Sequence, residues 1–155
     1  MLFRSKSKNI LYTSIDLESP LADMKMDIHN IKFSDEVYDF VICNHVLEHV
    51  NNDLMVLKEI FRVLKKGGKG IIQVPFFFPI PEKTFEDKTI TSKKERDKHF
   101  GQSDHVRKYG KDFKKRIESV GFDVNVVKPR DFILDSDIKL YGITDTEEIY
   151  FISKG

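Results

Sequence analysis

Apolar and polar positions follow two different periods along this chain, and the change from one to the other marks its elements. Between Val37 and Pro75 they give an apolar strand, a polar tip, an amphipathic helix, a glycine turn and a second apolar strand. Val41, Ile42 and Cys43 follow the β-formers Tyr38 and Phe40, the pattern of a strand buried on both faces. The run stops at Asn44-His45, so polar groups arrive at the strand's carboxyl end. From Leu54 the apolar residues recur as Leu54, Leu57, Ile60, Phe61 and Leu64, a helical stripe with Asn51 or Asn52 as N-cap and Asp53 in the first turn. Lys65 and Lys66 suit the negative end of that helix, and Gly67 is placed to be its left-handed C′ residue. Ile71 to Val74 then resume an extended run. Together these form a βαβ unit, and open α/β sheets bind ligands at the carboxyl ends of their strands.

Upstream, Ile10 to Ile15 predicts a strand ending at Asp16, and Met24 to Met26 a shorter one ending before Asp27. Two neighbouring strands that each stop on an aspartate form a constellation with chemical content, although aspartate is also a common turn residue. Downstream, Pro75 to Pro81 crowds phenylalanines and prolines together and forms neither a central strand nor a helix. Residues 76–105 read as a lid or insertion of a single domain spanning 1–155, with a helix expected at Ser92 to Lys98. A helix after Gly110 carries Phe113, Ile117 and Val120, and Phe122 to Val127 returns to strand alternation. Asp135 to Tyr141 predicts a short helix, and Glu148 to Ser153 a closing strand.

Composition narrows the setting. With 33% charged and 40% hydrophobic residues and a net charge of +1, the chain has no overall field for nucleic acid or an anionic membrane. The single cysteine, Cys43, rules out an internal disulfide and fits a reducing compartment. No run approaches the ~20 apolar residues of a membrane helix, so a cytoplasmic location is expected. Every glycine lies at Gly67 or beyond, so no glycine-rich turn joins the first strand to the first helix.

The stretch Asp39-Phe40-Val41-Ile42-Cys43-Asn44-His45-Val46-Leu47-Glu48-His49-Val50, followed by Glu59 to Gly68, resembles the class I S-adenosylmethionine-dependent methyltransferases of the VLEHV-containing, type 11-like subgroup. Asp16, Met26-Asp27-Ile28, His105 to Gly110 and Val120-Gly121-Phe122 resemble flanking segments of that family. The resemblance implies a Rossmann-like α/β sheet with helices on both faces, mostly parallel with an antiparallel final strand. It also implies S-adenosylmethionine as cofactor and methyl transfer to an unidentified acceptor. Asp16, with Leu17 beside it, would take the ribose hydroxyls; Asp27 would accept from the adenine amino group, with Ile28 against the ring. Asn44 and His45 would face the methionine end. Asp104 and His105 would be the catalytic residues that touch the acceptor. No metal ligand is implied.

The family's first strand and glycine-rich loop have no counterpart from Ile10 onward, and Leu2 to Lys8 could supply at most the tail of a helix. The expectation is an amino-terminally truncated domain with weak or absent cofactor affinity. Its gap would be closed by pairing of the flanking strands or by self-association with a second chain. Two other readings fit the residues. One is a non-catalytic methyltransferase-like interaction module, which would use the exposed edge or the Phe76 to Phe78 surface. The other is an inverted zincin, because His45-Val46-Leu47-Glu48-His49 fits H-x-x-E-H. That chemistry needs the motif within a helix, whereas here it follows a strand. On the bland reading His49 packs on the sheet and Glu48 is a capped or solvated carboxylate.

Overall fold

A computed structural model of the chain describes residues 10–144 and 147–155. Its strands are β1 (Ile15–Asp16), β2 (Met24–Lys25), β3 (Tyr38–Asn44), β4 (Leu64–Gln73), β5 (Phe85–Glu86), β6 (Arg107–Lys108), β7 (Phe122–Val127) and β8 (Ile149–Lys154). Its helices are α1 (Asp53–Val63), α2 (Lys93–Phe100), α3 (Phe113–Glu118) and α4 (Asp135–Tyr141). The expectation for Leu2 to Lys8 lies outside the described residues.

The principal sheet has the order β3-β4-β8-β7. β3 and β4 pair in parallel, and β8 runs antiparallel to both of its neighbours. Three strands therefore point one way and the last points back, as the resemblance implied. β1 and β2 form a separate parallel ribbon, so the flanking strands β1 and β3 do not pair with each other. β5 and β6 form a third, antiparallel pair.

The core lies where α1 and α3 meet the sheet. Val56, Leu57 and Ile60 from α1 join Phe113 and Ile117 from α3, and both sets pack with Cys43, Ile72, Tyr150 and Ile152 of the strands. Strand alternation sends Phe40 and Ile42 to the other face, where they are 46% and 56% exposed. β3 is thus not buried on both faces as its apolar run predicted, because among the described residues α1 and α3 pack on the face that carries Val41 and Cys43. α1 is capped by Asn52, whose side chain accepts from the Met55 backbone N–H. The helix ends at Val63, and Leu64 is already extended and pairs with Tyr38. Gly67, with φ of 73°, therefore makes a turn inside β4 and is not the helix C′ residue. Lys154 closes the helix instead: its ammonium, nearly buried, donates to the Phe61 and Leu64 carbonyls at 3.0 and 2.8 Å.

Residues 76–105 are folded against the body. Ser92 caps α2, Phe100 is fully buried, and β5 pairs with β6 just beyond the segment. Phe76 packs on Phe113 and Tyr150, whereas Phe78 is 79% exposed.

Candidate functional site

The polar tip is a turn held in place from outside. After β3 the chain enters His45 with φ of 53°, a left-handed backbone that a histidine adopts at some cost. The His49 N–H then closes onto the Val46 carbonyl at 3.1 Å. Residues 105–107 strap this turn. The Val106 N–H donates to the Glu48 carbonyl at 2.9 Å. The buried Arg107 guanidinium donates to the carbonyls of Leu47 and Val50. Arg107 is itself fixed by Glu86 at 3.1 Å, and Asp53 lies 3.9 Å away.

The strap brings five titratable side chains together. Glu48 is 1% exposed, and its Oε1 lies 3.4 Å from His45 Nδ1 and 3.7 Å from His49 Nε2. Its Oε2 is buried with no hydrogen-bond partner. His49 Nδ1 lies 3.4 Å from Asp104 Oδ2. The His49 ring meets that of His105 edge-on, with centroids 4.9 Å apart. His105 is 2% exposed, bonds the Phe100 backbone through its ring and leaves Nδ1 buried without a partner. Burial, and secondly the nearby His49, hold His105 below the ordinary imidazole range, so it is neutral at pH 7. His45, Asp104 and His105, expected at the reactive end, thus converge. Glu48 and His49 depart from expectation: Glu48 is neither capped nor solvated but buried, and His49 touches Glu48 and Asp104. The spacing of the H-x-x-E-H motif was the visible signal for both, although a turn and not a helix carries it.

The two aspartates sit at the other group of strand ends. Asp16 Oδ1 accepts from the backbone N–H groups of Glu18 and Ser19 at 2.9 and 2.7 Å, and these bonds draw its pKa below the usual carboxylate value. The rest of its carboxylate and the neighbouring Leu17 face solvent. The Met26 N–H donates to the Asp16 carbonyl, which places the approach to Asp27 beside it. Asp27 Oδ1 accepts from the His29 backbone at 2.9 Å and contacts His29 Nδ1 at 2.8 Å, while Ile28 packs on the core. Asn44, at the end of β3, has a buried Oδ1 without a partner. Exposed strand-end carboxylates and an orphaned amide oxygen suit a ligand rich in hydroxyl and amino donors.

Comparison with known proteins gives this arrangement a context. Residues 6–72 match the family described as "Methyltransferase domain". An uncharacterized protein of Methanocaldococcus jannaschii is 40% identical over 76 residues, covering 45% of this chain and 33% of that protein. A demethylmenaquinone methyltransferase of Geobacillus sp. is 39% identical over 71 residues, covering 42% and 30%. The alignments thus span about a third of the length of these curated relatives. Among solved structures, a chain from the complex of the Haloferax volcanii Trm112 methyltransferase activator with a methyltransferase superposes with a TM-score of 0.55 at 14% identity, covering 84% of this chain and 60% of that one. Haemonchus contortus phosphoethanolamine N-methyltransferase 2, solved with phosphomonomethylethanolamine and S-adenosylhomocysteine, gives 0.51 at 16% identity, covering 83% and 36%. These likenesses show the fold. No helix among the described residues is long and apolar enough to cross a membrane.

Proposed function

We propose that this chain, whose fold and family match are those of the class I S-adenosylmethionine-dependent methyltransferases, belongs to an enzyme that moves a methyl group from S-adenosylmethionine to an unidentified acceptor. The observation that carries this reading is the extent of the family match. Residues 6–72 contain every side chain assigned to the cofactor: Asp16, Leu17, Asp27, Ile28, Asn44 and His45.

When bound, S-adenosylmethionine supplies an electrophilic methyl on a sulfonium centre. The chain's own residues bind and align. Asp16 offers the carboxylate oxygen not already engaged by Glu18 and Ser19 to a pair of hydroxyls. Asp27 accepts from an amino group, and Leu17 and Ile28 supply apolar surface for a flat ring. Asn44 and His45 border the reactive end, where alignment and exclusion of water matter most. Asp104 and His105 face the acceptor, and the exposed Asp104 carboxylate is the group available there to take a proton.

Calorimetric titration with S-adenosylhomocysteine tests the reading. Saturable binding is expected, and it is weak because the described residues include no glycine-rich turn after a strand to cradle the methionyl carboxylate. Asp16→Ala should lower the affinity about tenfold or more, since a charge-assisted pair of hydrogen bonds is lost. Absence of saturation, or an Asp16→Ala variant that binds like the parent chain, would overturn it.

A further inference from the structure

We propose that Glu48, His49 and His105 form a binding site for a divalent cation of the zinc class. One donor atom from each lies within 4.8 Å of the other two. A four-coordinate zinc ion with bonds of about 2.0–2.2 Å sets its ligands about 3.4 Å apart. Closing the site therefore takes movements of about an ångström. His49, with 34% of its side chain exposed, has room to make them.

Two observations indicate a ligand and not just packing. First, Glu48 Oε2 and His105 Nδ1 are buried polar atoms without partners, on side chains only 1% and 2% exposed. Leaving such groups unsatisfied is costly, and a cation satisfies both at once. Among the described residues no lysine or arginine pairs with Glu48; its only ion-pair contacts are His45 and His49. Second, the outer contacts orient the imidazoles as metal ligands. Asp104 sits on His49 Nδ1, which leaves Nε2 toward Glu48. The Phe100 backbone holds the other ring nitrogen of His105, which leaves Nδ1 bare. Carboxylate or carbonyl groups on the far nitrogen are what fix ligating histidines. Two imidazoles and one carboxylate make a set typical of zinc sites with an open position, and His45, 3.4 Å from Glu48, borders it. The proposal does not depend on methyl transfer and would stand if the cofactor reading failed.

The test uses the whole 155-residue chain, stripped with chelator and dialysed against zinc chloride. Bound metal is measured by mass spectrometry, and cobalt substitution is followed by visible absorption. About one equivalent of zinc is expected, with a raised thermal midpoint and ligand-field bands for cobalt. His49→Ala, at a partly exposed position where folding is retained, should weaken binding more than about tenfold, and Asp104→Asn about tenfold. His99→Ala, on the exposed face of α2, should change nothing. Glu48→Gln should also abolish binding; if it does not fold, the His49 and Asp104 variants decide. Failure to bind stoichiometric zinc, or parent-like binding by His49→Ala, overturns the proposal. S-adenosylhomocysteine titrations on the same samples separate this outcome from that of the cofactor reading.

Discussion

Replacing Asp53 by Asn should be among the most damaging single changes in the chain, because this carboxylate is the hub of a nearly dry ionic network. It is 1% exposed and opens α1, where a negative charge also complements the helix dipole. Arg116 grips it from α3 through Nη2 at 2.7 Å and Nε at 3.0 Å. The Tyr109 hydroxyl donates at 3.0 Å, and Arg107 lies 3.9 Å away. Burial raises the pKa of Asp53, but the Arg116 hydrogen bonds, the Arg107 charge and the Tyr109 hydroxyl outweigh it, so the net shift is downward. Removing one partner of a buried ion pair costs about 3–5 kcal/mol. Because Glu86 still contacts both arginines, at 3.1 Å from Arg107 and 2.7 Å from Arg116, and Arg116 is partly exposed to solvent, the lower end applies, about 3 kcal/mol. With a urea m-value of about 1.5 kcal/mol/M, the midpoint should fall by about 2 M. Urea unfolding followed by far-ultraviolet circular dichroism measures this directly. The folded pKa lies below the unfolded value of about 3.9, so the stabilisation is fully present above that value and is lost as pH falls through the folded pKa. The gap between parent and variant should therefore be constant from pH 7 to about pH 5 and shrink below about pH 4. A difference under about 0.5 kcal/mol at pH 7, or one unchanged down to about pH 3, would refute the argument.

Two further outcomes follow from buried groups elsewhere. Lys154→Met keeps the aliphatic stem but removes the donors to Phe61 and Leu64 and the contact with Glu36 at 3.2 Å. It should cost about 1–3 kcal/mol in chemical denaturation, and a loss below about 0.5 kcal/mol would contradict its role as the helix cap. Cys43 is 3% exposed, and burial, with a smaller push from Glu48, raises its thiol pKa to about 12. At pH 8 a disulfide reagent should label it only at the rate of unfolding; labelling within the mixing time would show that the site is open.

The βαβ unit from Val37 to Pro75 could be read from periodicity because local patterns decide it. The Asn52 cap, the stripe Leu57 and Ile60 and the restart of β4 all depend on residues close in sequence. α4 and β8 were legible for the same reason. What periodicity misassigned was exposure. An apolar run says that a strand is hydrophobic but not that a neighbour covers it, and Phe40 and Ile42 depend on what packs over their face of the sheet. Gly67 was misplaced for a related reason: Leu64 gains more from pairing with Tyr38 than from another helical turn, a tertiary term that overrides helix propensity. At the site, the tip residues His45 and Asn44 were visible as a polar interruption. The burial of Glu48 was not, since it is imposed by Arg107, a residue 60 positions from the Leu47 carbonyl it holds.

That long-range strap ties the stability of the domain to the geometry of its polar tip. Arg107 needs counter-charge to be buried, and Glu86 and Asp53 provide it. So anchored, its guanidinium is free to donate to Leu47 and Val50, on either side of Glu48 and His49. The tip is thereby fixed without a helix through it, which explains how a turn can hold Glu48 and His49 in one small space with His105 of the strap. The same anchor also sets where His105 lies, because Val106 donates to Glu48 and is followed directly by Arg107. Charges that would be a liability in an apolar core are thus used here to bring residues 45–50 and 104–107 together. Weakening the network should disturb the polar cluster before it unfolds the sheet, since the β3, β4, β8 and β7 pairings do not pass through it.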